Sequence, residues 1–189
     1  MVKKIIVFVA LFCFVSFNSQ TKQKTPSIEQ YAAKILERCP SDLTRGVKKD
    51  EIMCYLEYTR DELKKYHLEK YFEVFVANTI RESGMNLEAG KKDLCKGLCQ
   101  INPYWQNTFE KVKRAKTGKA TDGNLYNPYT SIGLGIACFH LDMKYAKQDV
   151  WLAIRMYNGK DCPKSRRHVK EVKRIYKKIC IECEFLGVK

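Results

Sequence analysis

Apolar residues recur every three or four positions along most of the chain, which is the spacing of amphipathic helices. In the first such segment Ser27 is predicted to cap a helix and Pro40 to end it. A second helix is predicted to begin with Asp50 as its cap. The third covers about residues 68–83, and it is followed by Gly84, which can adopt the left-handed conformation that ends helices.

The second half of the chain predicts four more helices. A short helix is predicted to begin at Pro103, and a long one at Asn127-Pro128. A third is predicted at residues 150–157, after Asp149, and the last begins near Ser165. The intervening segment 86–102 contains two glycines and two cysteines and is predicted to be looped or to form short strands. Since no run is long enough for a real sheet, a mainly α, helix-dominated domain is expected.

The N-terminus has the pattern of an export signal. Lys3 and Lys4 precede an apolar run from Ile5 to Phe17 that is too short for a comfortable membrane span. Cleavage is expected near residues 16–19, with a retained N-terminal anchor as the alternative. The predicted division is a signal peptide at 1–19, an N-terminal helical extension packed on the core at 20–66, and the main domain at 67–189.

Cysteine usage fits an oxidising, extracytoplasmic compartment, either secreted or periplasmic. Eight of the nine cysteines remain after removal of residues 1–19. An even number in an exported chain is typical of disulfides, although eight cysteines allow 105 pairings. The spacing of Cys180 and Cys183 also suits a zinc site, but no second pair of this kind occurs, so neither a metal nor a cofactor is predicted.

The net charge of +14 falls to +12 without Lys3 and Lys4 and favours association with polyanions. Export argues against nucleic acid as the partner and leaves acidic cell-wall polymers as a possibility. Much of the charge lies in residues 164–178, where basic residues alternate with apolar ones at helical spacing. A solvated helix face over a buried stripe is the expected arrangement.

Glu82 is the candidate general acid. It lies at the exit of the apolar helix predicted for residues 68–83. Partial desolvation and the negative end of the helix dipole both favour the neutral form of a carboxyl group there. A proton held near neutral pH is what an acid catalyst of glycosidic bond cleavage requires.

Four motifs surround this glutamate in a fixed order along the chain. They are Arg81-Glu-Ser-Gly-Met-Asn86, Gly97-Leu-Cys-Gln-Ile-Asn102, Leu125-Tyr-Asn-Pro128 leading to Ile132 and Gly135, and Met156-Tyr-Asn-Gly159. Together they resemble the SLT-type lytic transglycosylase family of the lysozyme superfamily and, more distantly, goose-type lysozymes. The resemblance covers roughly residues 70–178 and implies a helical, α+β lysozyme-like domain.

Three positions depart from the family pattern. Cys99 stands where Met is usual, Ser131 replaces Asn, and His168 replaces a common Tyr. None of the three is expected to touch the acid. The departures therefore concern substrate preference more than activity.

The resemblance implies that Glu82 cuts the MurNAc–GlcNAc β-1,4 bond of peptidoglycan alone, first as acid and then as base. The muramic acid 6-hydroxyl would attack internally and leave a 1,6-anhydro end. The substrate-binding residues implied by position are Ser83, Gln100, Asn102, Tyr157 and Asn158. Three of them also have a structural alternative: Ser83 as a helix-end hydroxyl, Tyr157 as a core aromatic, and Asn158 as part of an ordinary helix stop.

Other functions remain open at this point. A hydrolytic muramidase would need a second carboxylate, for which Glu88, Asp93 and Asp122 are the nearest in sequence. A glycan-binding or assembly protein with the same fold and a cationic membrane-active protein are further alternatives. Tyr104 and Trp105 could stack on sugar rings, while Trp105 suits the core equally well.

Overall fold

The computed structural model describes residues 26–91, 93–159 and 163–181. The predicted signal peptide and the cysteines at 162 and 183 lie outside these residues. Within them, no helix has the length and apolar character needed to cross a membrane.

The described residues form seven α-helices and one short 3₁₀ turn. In chain order they are α1 (Ile28–Arg38), α2 (Lys49–Lys65), the 3₁₀ turn (Glu69–Tyr71), α3 (Phe72–Ser83), α4 (Pro103–Thr117), α5 (Pro128–Tyr145), α6 (Val150–Tyr157) and α7 (Pro163–Ile179). The mainly helical prediction is confirmed. Residues 84–91 and 93–102 form turns and bends, and the one β-bridge among them joins Lys96 and Ile101.

Local capping explains most helix boundaries. The Ser27 side chain accepts the N–H of Gln30 at 3.2 Å, and Asp149 accepts the N–H groups of Trp151 and Leu152, as their positions in the sequence predict. The predicted cap at Asp50 is wrong. Helix α2 begins at Lys49, because the Glu51 carboxylate accepts the Lys48 N–H at 3.0 Å. Asp50 and Glu51 then both lie in the first turn, where the helix dipole favours acidic side chains.

Helix α5 forms the centre of the core. Nearly all of its residues from Thr130 to Phe139 are buried, and it packs against α2, α4 and α6. The Phe139 ring lies 5.7 Å from that of Phe75 on α3. Helix α3 packs most extensively against α7, so the end of α3 is held between α7 and the turns of segment 84–102.

The described cysteines, which are Cys39, Cys54, Cys95, Cys99, Cys138 and Cys180, form no disulfide with one another. Three of their sulfurs contact oxygen instead: Cys99 Sγ lies 3.8 Å from Thr79 Oγ1, Cys138 Sγ 3.6 Å from Asp142, and Cys180 Sγ 3.4 Å from Tyr176. The described residues therefore give the predicted disulfides no support.

Candidate active site

Glu82 occupies the last turn of α3, whose preceding residues are buried almost without interruption. Gly84 ends the helix in the left-handed conformation at φ 61°, as its position predicts. The Glu82 side chain is 12 % exposed. Burial raises its pKa from the ordinary 4.5 to about 7, although a hydrogen bond with Asn158 and the charges of Arg81 and Lys164 lower it. The carboxyl is therefore poised to gain or lose a proton near neutral pH.

Helix α6 ends against this carboxyl group. Asn158 is the C-terminal cap of α6, and its side-chain amide is the hydrogen-bond partner of Glu82. The preceding Tyr157 hydroxyl donates to the backbone oxygen of Cys99 at 2.8 Å. The structure thus places Asn158 against the Glu82 carboxyl. It places Tyr157 against the adjoining loop, where its hydroxyl has a structural contact.

The loop at residues 97–102 is fixed by close backbone packing. Gly97 has φ 73°, and a Cβ atom there would lie 2.0 Å from the backbone oxygen of Leu125. Gln100 has φ 48° and donates through Nε2 to the Gly97 oxygen at 2.9 Å. The Cys99 N–H donates to Ser131 Oγ at 3.1 Å. Ser131, one of the departures from the family pattern, therefore holds this loop onto α5.

Two more of the predicted substrate-binding residues also have structural partners. Ser83 Oγ donates to the Thr79 backbone oxygen at 3.2 Å, which is the helix-end alternative. Asn102 caps α4 by accepting the Tyr104 N–H at 2.9 Å. Their contacts with substrate stay predictions.

His168 lies beside the acid, which the sequence interpretation missed. Its Nε2 is 3.5 Å from Glu82 Oε1 and 2.8 Å from Asn78 Oδ1. Because an amide oxygen can only accept, Nε2 carries the hydrogen and donates it to Asn78. Burial, together with the charges of Arg81 and Lys164, lowers the pKa of His168 to about 4, so the ring is neutral at pH 7.

The prediction that no departure touches the acid is therefore wrong for His168. The missed signal is the helical spacing of α7. His168 lies on the same stripe as Val172, Ile175 and Ile179, all of which are buried. A polar residue on that stripe is expected to be buried, and the packing of α7 on α3 places it beside Glu82.

The nearest carboxylates in sequence have other partners. Glu88 forms an exposed ion pair with Lys91 at 2.7 Å. Asp122 accepts hydrogen bonds from Asn127 Nδ2 and Thr130 Oγ1, which lower its pKa. Asp93 is exposed. None of the three is a hydrogen-bond partner of Glu82 among the described residues.

One further carboxyl has a raised pKa. Burial raises the pKa of Asp142 on α5 to about 7, and its Oδ2 lies 3.6 Å from Cys138 Sγ. Sequence reasoning did not find this residue. Within the described ranges, no group of three or more His, Cys, Asp or Glu side chains has an arrangement that could hold a metal ion.

An aromatic pair lies just beyond the loop at 97–102. Tyr104 is 79 % exposed and Trp105 is 51 % exposed, with ring centroids 5.0 Å apart in an edge-to-face arrangement. Trp105 is therefore not a core residue. Stacking of sugars on this pair stays a prediction.

The arrangement can perform one-carboxyl acid–base chemistry. At pH near 7 a proton can leave Glu82 for a leaving oxygen, and the Asn158 hydrogen bond then stabilises the carboxylate that remains. The neutral His168 ring adds no positive charge that would pull the Glu82 pKa down.

One comparison with known proteins returns a match. The family model "Transglycosylase SLT domain" matches residues 57–179, from within α2 to the end of α7. Comparisons with curated proteins and with solved structures both return no match. The relation to goose-type lysozymes stays a prediction. Because the family match spans well over half of the sequence and includes the buried acid with its hydrogen-bond partner, the chain belongs to the transglycosylase SLT domain family.

Proposed function

We propose that this protein is an exported lytic transglycosylase that cleaves peptidoglycan at the MurNAc–GlcNAc β-1,4 bond, with Glu82 as its acid and base. The observation that carries the proposal is the position of Glu82 within the SLT domain: its carboxyl is 12 % exposed at the end of α3, against Asn158 and His168, and its pKa is raised to about 7. Proteins of this family are generally peptidoglycan-cleaving enzymes of the glycosidase type.

The proposed reaction needs only one carboxyl group. Glu82 first gives its proton to the glycosidic oxygen, and the bond from that oxygen to C1 of the muramic acid breaks. The resulting carboxylate then takes the proton of the C6 hydroxyl as that oxygen bonds to C1. The products are a free hydroxyl on the leaving sugar and a 1,6-anhydro end, and Glu82 regains its proton.

The neighbouring residues have proposed supporting roles. Asn158 stabilises the carboxylate between the two steps through its hydrogen bond. Ser83, Gln100, Asn102 and Tyr157 are proposed to contact the glycan strand. Export through the N-terminal signal would place the enzyme in the periplasm or outside the cell, where this substrate lies.

Product analysis tests the reaction. Purified cell wall is digested, and the released fragments are measured by mass spectrometry. Anhydro ends, one water lighter than reducing ends, are the expected result. Reducing ends would mean that water completes the reaction, as in a hydrolytic muramidase. Binding to the wall without any released fragment would mean a glycan-binding or assembly protein.

The Glu82→Gln variant tests the role of the acid. We expect wall lysis to fall by at least about 10²-fold, because the amide cannot deliver a proton. Undiminished lysis of cells would indicate killing by charge and would overturn the proposal.

Stability measurements show whether this variant is folded. The folded-state pKa of Glu82 exceeds its ordinary value, so the proton stabilises the fold below pH 4.5, and this contribution is lost as the pH rises through about 7. The difference corresponds to an upper limit of about 3 kcal/mol. Glu82→Gln is therefore expected to unfold at a higher urea concentration than the native protein at pH 8, with a smaller difference at pH 4.5.

A further inference from the structure

Two buried polar side chains, Asn78 and His168, form a pair beside Glu82. Asn78 lies on α3, one helical turn before Glu82, and is 1 % exposed, while His168 on α7 is 4 % exposed. The His168 Nε2 donates to Asn78 Oδ1 at 2.8 Å. Because a buried polar group without a partner destabilises the fold, each of these side chains supplies the partner that the other needs.

A second acceptor lies near the same ring nitrogen. His168 Nε2 is 3.5 Å from Glu82 Oε1, which is longer than the roughly 2.7–3.2 Å of an ordinary N–H···O hydrogen bond. A movement of about 0.7 Å would bring the two atoms to the distance of a charge-assisted bond. One hydrogen atom thus lies near an amide oxygen and a carboxyl oxygen on successive turns of α3.

The relative strength of these two acceptors depends on the proton of Glu82. A hydrogen bond to a carboxylate is about twice as strong as one between neutral groups, so ionised Glu82 is a stronger acceptor than the Asn78 amide. A buried amide oxygen that loses its donor destabilises the fold, which opposes the transfer of the hydrogen bond to Glu82. Asn78 therefore limits how strongly His168 stabilises the carboxylate.

Charged and titratable side chains face Glu82 from several elements. They are Arg81 of α3, Lys164 and His168 of α7, Tyr157 of α6, Cys138 of α5, and Cys95 and Cys99 of the turns before α4. Burial raises the pKa values of the tyrosine and the three thiols, so these groups are neutral at pH 7. Asp142, whose pKa is also raised to about 7, contacts Cys138.

We infer that Asn78 is a positioning residue that acts on Glu82 through His168: the His168 N–H is donated to Asn78 while Glu82 holds its proton, and to Glu82 Oε1 once that proton has left. The inference deepens the proposed function and rests on it, because it concerns the change of Glu82 from acid to base. The N–H stabilises the carboxylate between the two steps. Since His168 is a departure from the family pattern, the pair belongs to this chain.

NMR on the full chain tests the pair without any substrate. The two ring nitrogens of His168 report which of them carries the hydrogen, and we expect Nε2. The side-chain carboxyl carbon of Glu82, identified by the loss of its signal in Glu82→Gln, reports the pKa of Glu82 separately from that of Asp142. A hydrogen on Nδ1 alone would overturn the inference, because Nε2 could then donate to neither acceptor.

Two substitutions should shift the measured pKa of Glu82 in opposite directions. His168→Phe removes the donor, so the carboxylate is less stable and the pKa should rise by about one pH unit. Asn78→Leu removes the competing acceptor, so the N–H stays with Glu82 and the pKa should fall by roughly 0.5–1 pH unit. A general loosening of α3 would instead admit water and lower the pKa in both variants.

The double variant shows whether Asn78 acts only through the histidine. When His168→Phe is already present, Asn78→Leu should have no further effect on the Glu82 pKa. The double variant also leaves neither polar side chain of the pair buried without its partner. If His168→Phe alone does not fold, the double variant therefore replaces it, and its Glu82 pKa should exceed that of Asn78→Leu.

His140→Phe is the matched control. His140 is also buried, at 8 % exposure, but its ring lies 5.2 Å from that of Tyr66 on α2 and it is not among the groups that shift the Glu82 pKa. This substitution should leave the Glu82 pKa unchanged. The pH at which kcat/KM on a soluble glycan fragment begins to fall should be lower than native in Asn78→Leu and higher in His168→Phe.

Three results would overturn the inference: a Glu82 pKa that is unchanged or lower in His168→Phe, a fall caused by Asn78→Leu that persists when the histidine is absent, or an equal shift in His140→Phe. Failure of the proposed function gives a different result. Opposite pKa shifts in a protein that releases no wall fragments would refute the transglycosylase reaction alone, whereas anhydro products without these shifts would refute the role of Asn78 alone.

Discussion

The proton affinity of Glu82 depends on groups from three separate helices. Burial at the end of α3 favours the neutral form, whereas Asn158 from the end of α6 and Lys164 from the start of α7 favour the carboxylate. Arg81, the neighbour within α3, acts in the same direction as Lys164. A pKa of about 7 is thus the balance of one large effect and three smaller opposing ones.

Removing the Lys164 charge should shift this balance. The rate of the native enzyme is expected to fall about tenfold per pH unit above pH 7, as Glu82 loses its proton. In Lys164→Gln the fall should begin at a higher pH, because a cation that stabilises the carboxylate is absent. The measurement is kcat/KM against pH on a soluble glycan fragment.

Lys170→Gln is the control, because Lys170 is exposed on the same helix but does not act on the Glu82 pKa. Equal shifts in both variants would mean that net charge, not the position of Lys164, sets the profile. A profile that stays flat above pH 7 in the native enzyme would contradict the role of Glu82 as the acid.

Glu82 could be singled out from the sequence as the candidate acid because the features that mark it lie in its own helix. The apolar run, the position at its exit and the following Gly84 are all local. His168 could not be placed beside it in the same way, since that contact depends on how α7 packs on α3. The ion pair between Asp42 and Arg174 on α7 was not predicted for the same reason, because only the tertiary fold brings these side chains together.

Helices were predictable where a capping residue marks their start. Ser27, Asn127 and Asp149 each cap a helix as their positions predict. At α2 a competing interaction, the Glu51 carboxylate on the Lys48 N–H, shifted the start away from Asp50. Helix α4 runs to Thr117 and is longer than the short helix expected, ending at Gly118 with φ 69°.

Glycine positions in α5 determine how closely the loop at 97–102 approaches this helix. A Cβ atom on Gly135 would lie 2.7 Å from Cys99 Sγ and 3.2 Å from the Tyr157 hydroxyl. Gly135→Ala should therefore push apart the Cys99–Tyr157 contact. We expect it to lower the free energy of unfolding by about 1–3 kcal/mol and to reduce wall cleavage, both measured against the native protein.

Gly133→Ala is the matched control, with the same substitution two residues away in the same helix. Its Cβ would lie 2.6 Å from Lys113 Cε on α4, so this variant displaces a buried lysine side chain and leaves the Cys99–Tyr157 contact untouched. Alanine favours helix over glycine by roughly 0.5–1 kcal/mol, which offsets part of the cost, so the loss of stability should be smaller than in Gly135→Ala. A loss equal to that of Gly135→Ala would show that α5 tolerates no alanine at all and would refute the specific contact.

At the scale of the whole molecule, the segment that contains Asp42 and precedes the family match at residues 57–179 is bonded to α7. The carboxylate of Asp42 is 12 % exposed and bonds to Arg174 and Lys178 on α7. Helix α1 packs on both α2 and α7, so the N-terminal segment and the C-terminal helix meet. Residues 41–44 and α7 also line a polar groove beside the end of α3.

The Asp42→Asn substitution should weaken this attachment. Hydrogen bonds from Arg174 and Lys178 hold the pKa of Asp42 below its usual 3.8, so the carboxylate stabilises the fold at pH 7, and this contribution is lost as the pH falls through the folded-state pKa. Because Arg174 is 41 % exposed, we expect the loss at pH 7 to be only about 1 kcal/mol, measured by urea unfolding. Asp61→Asn, which removes the exposed partner of Lys64, should cost less. The difference in the free energy of unfolding between native protein and Asp42→Asn should shrink below the folded-state pKa of Asp42. If that difference stays the same, the charge of Asp42 is not what holds its segment on α7.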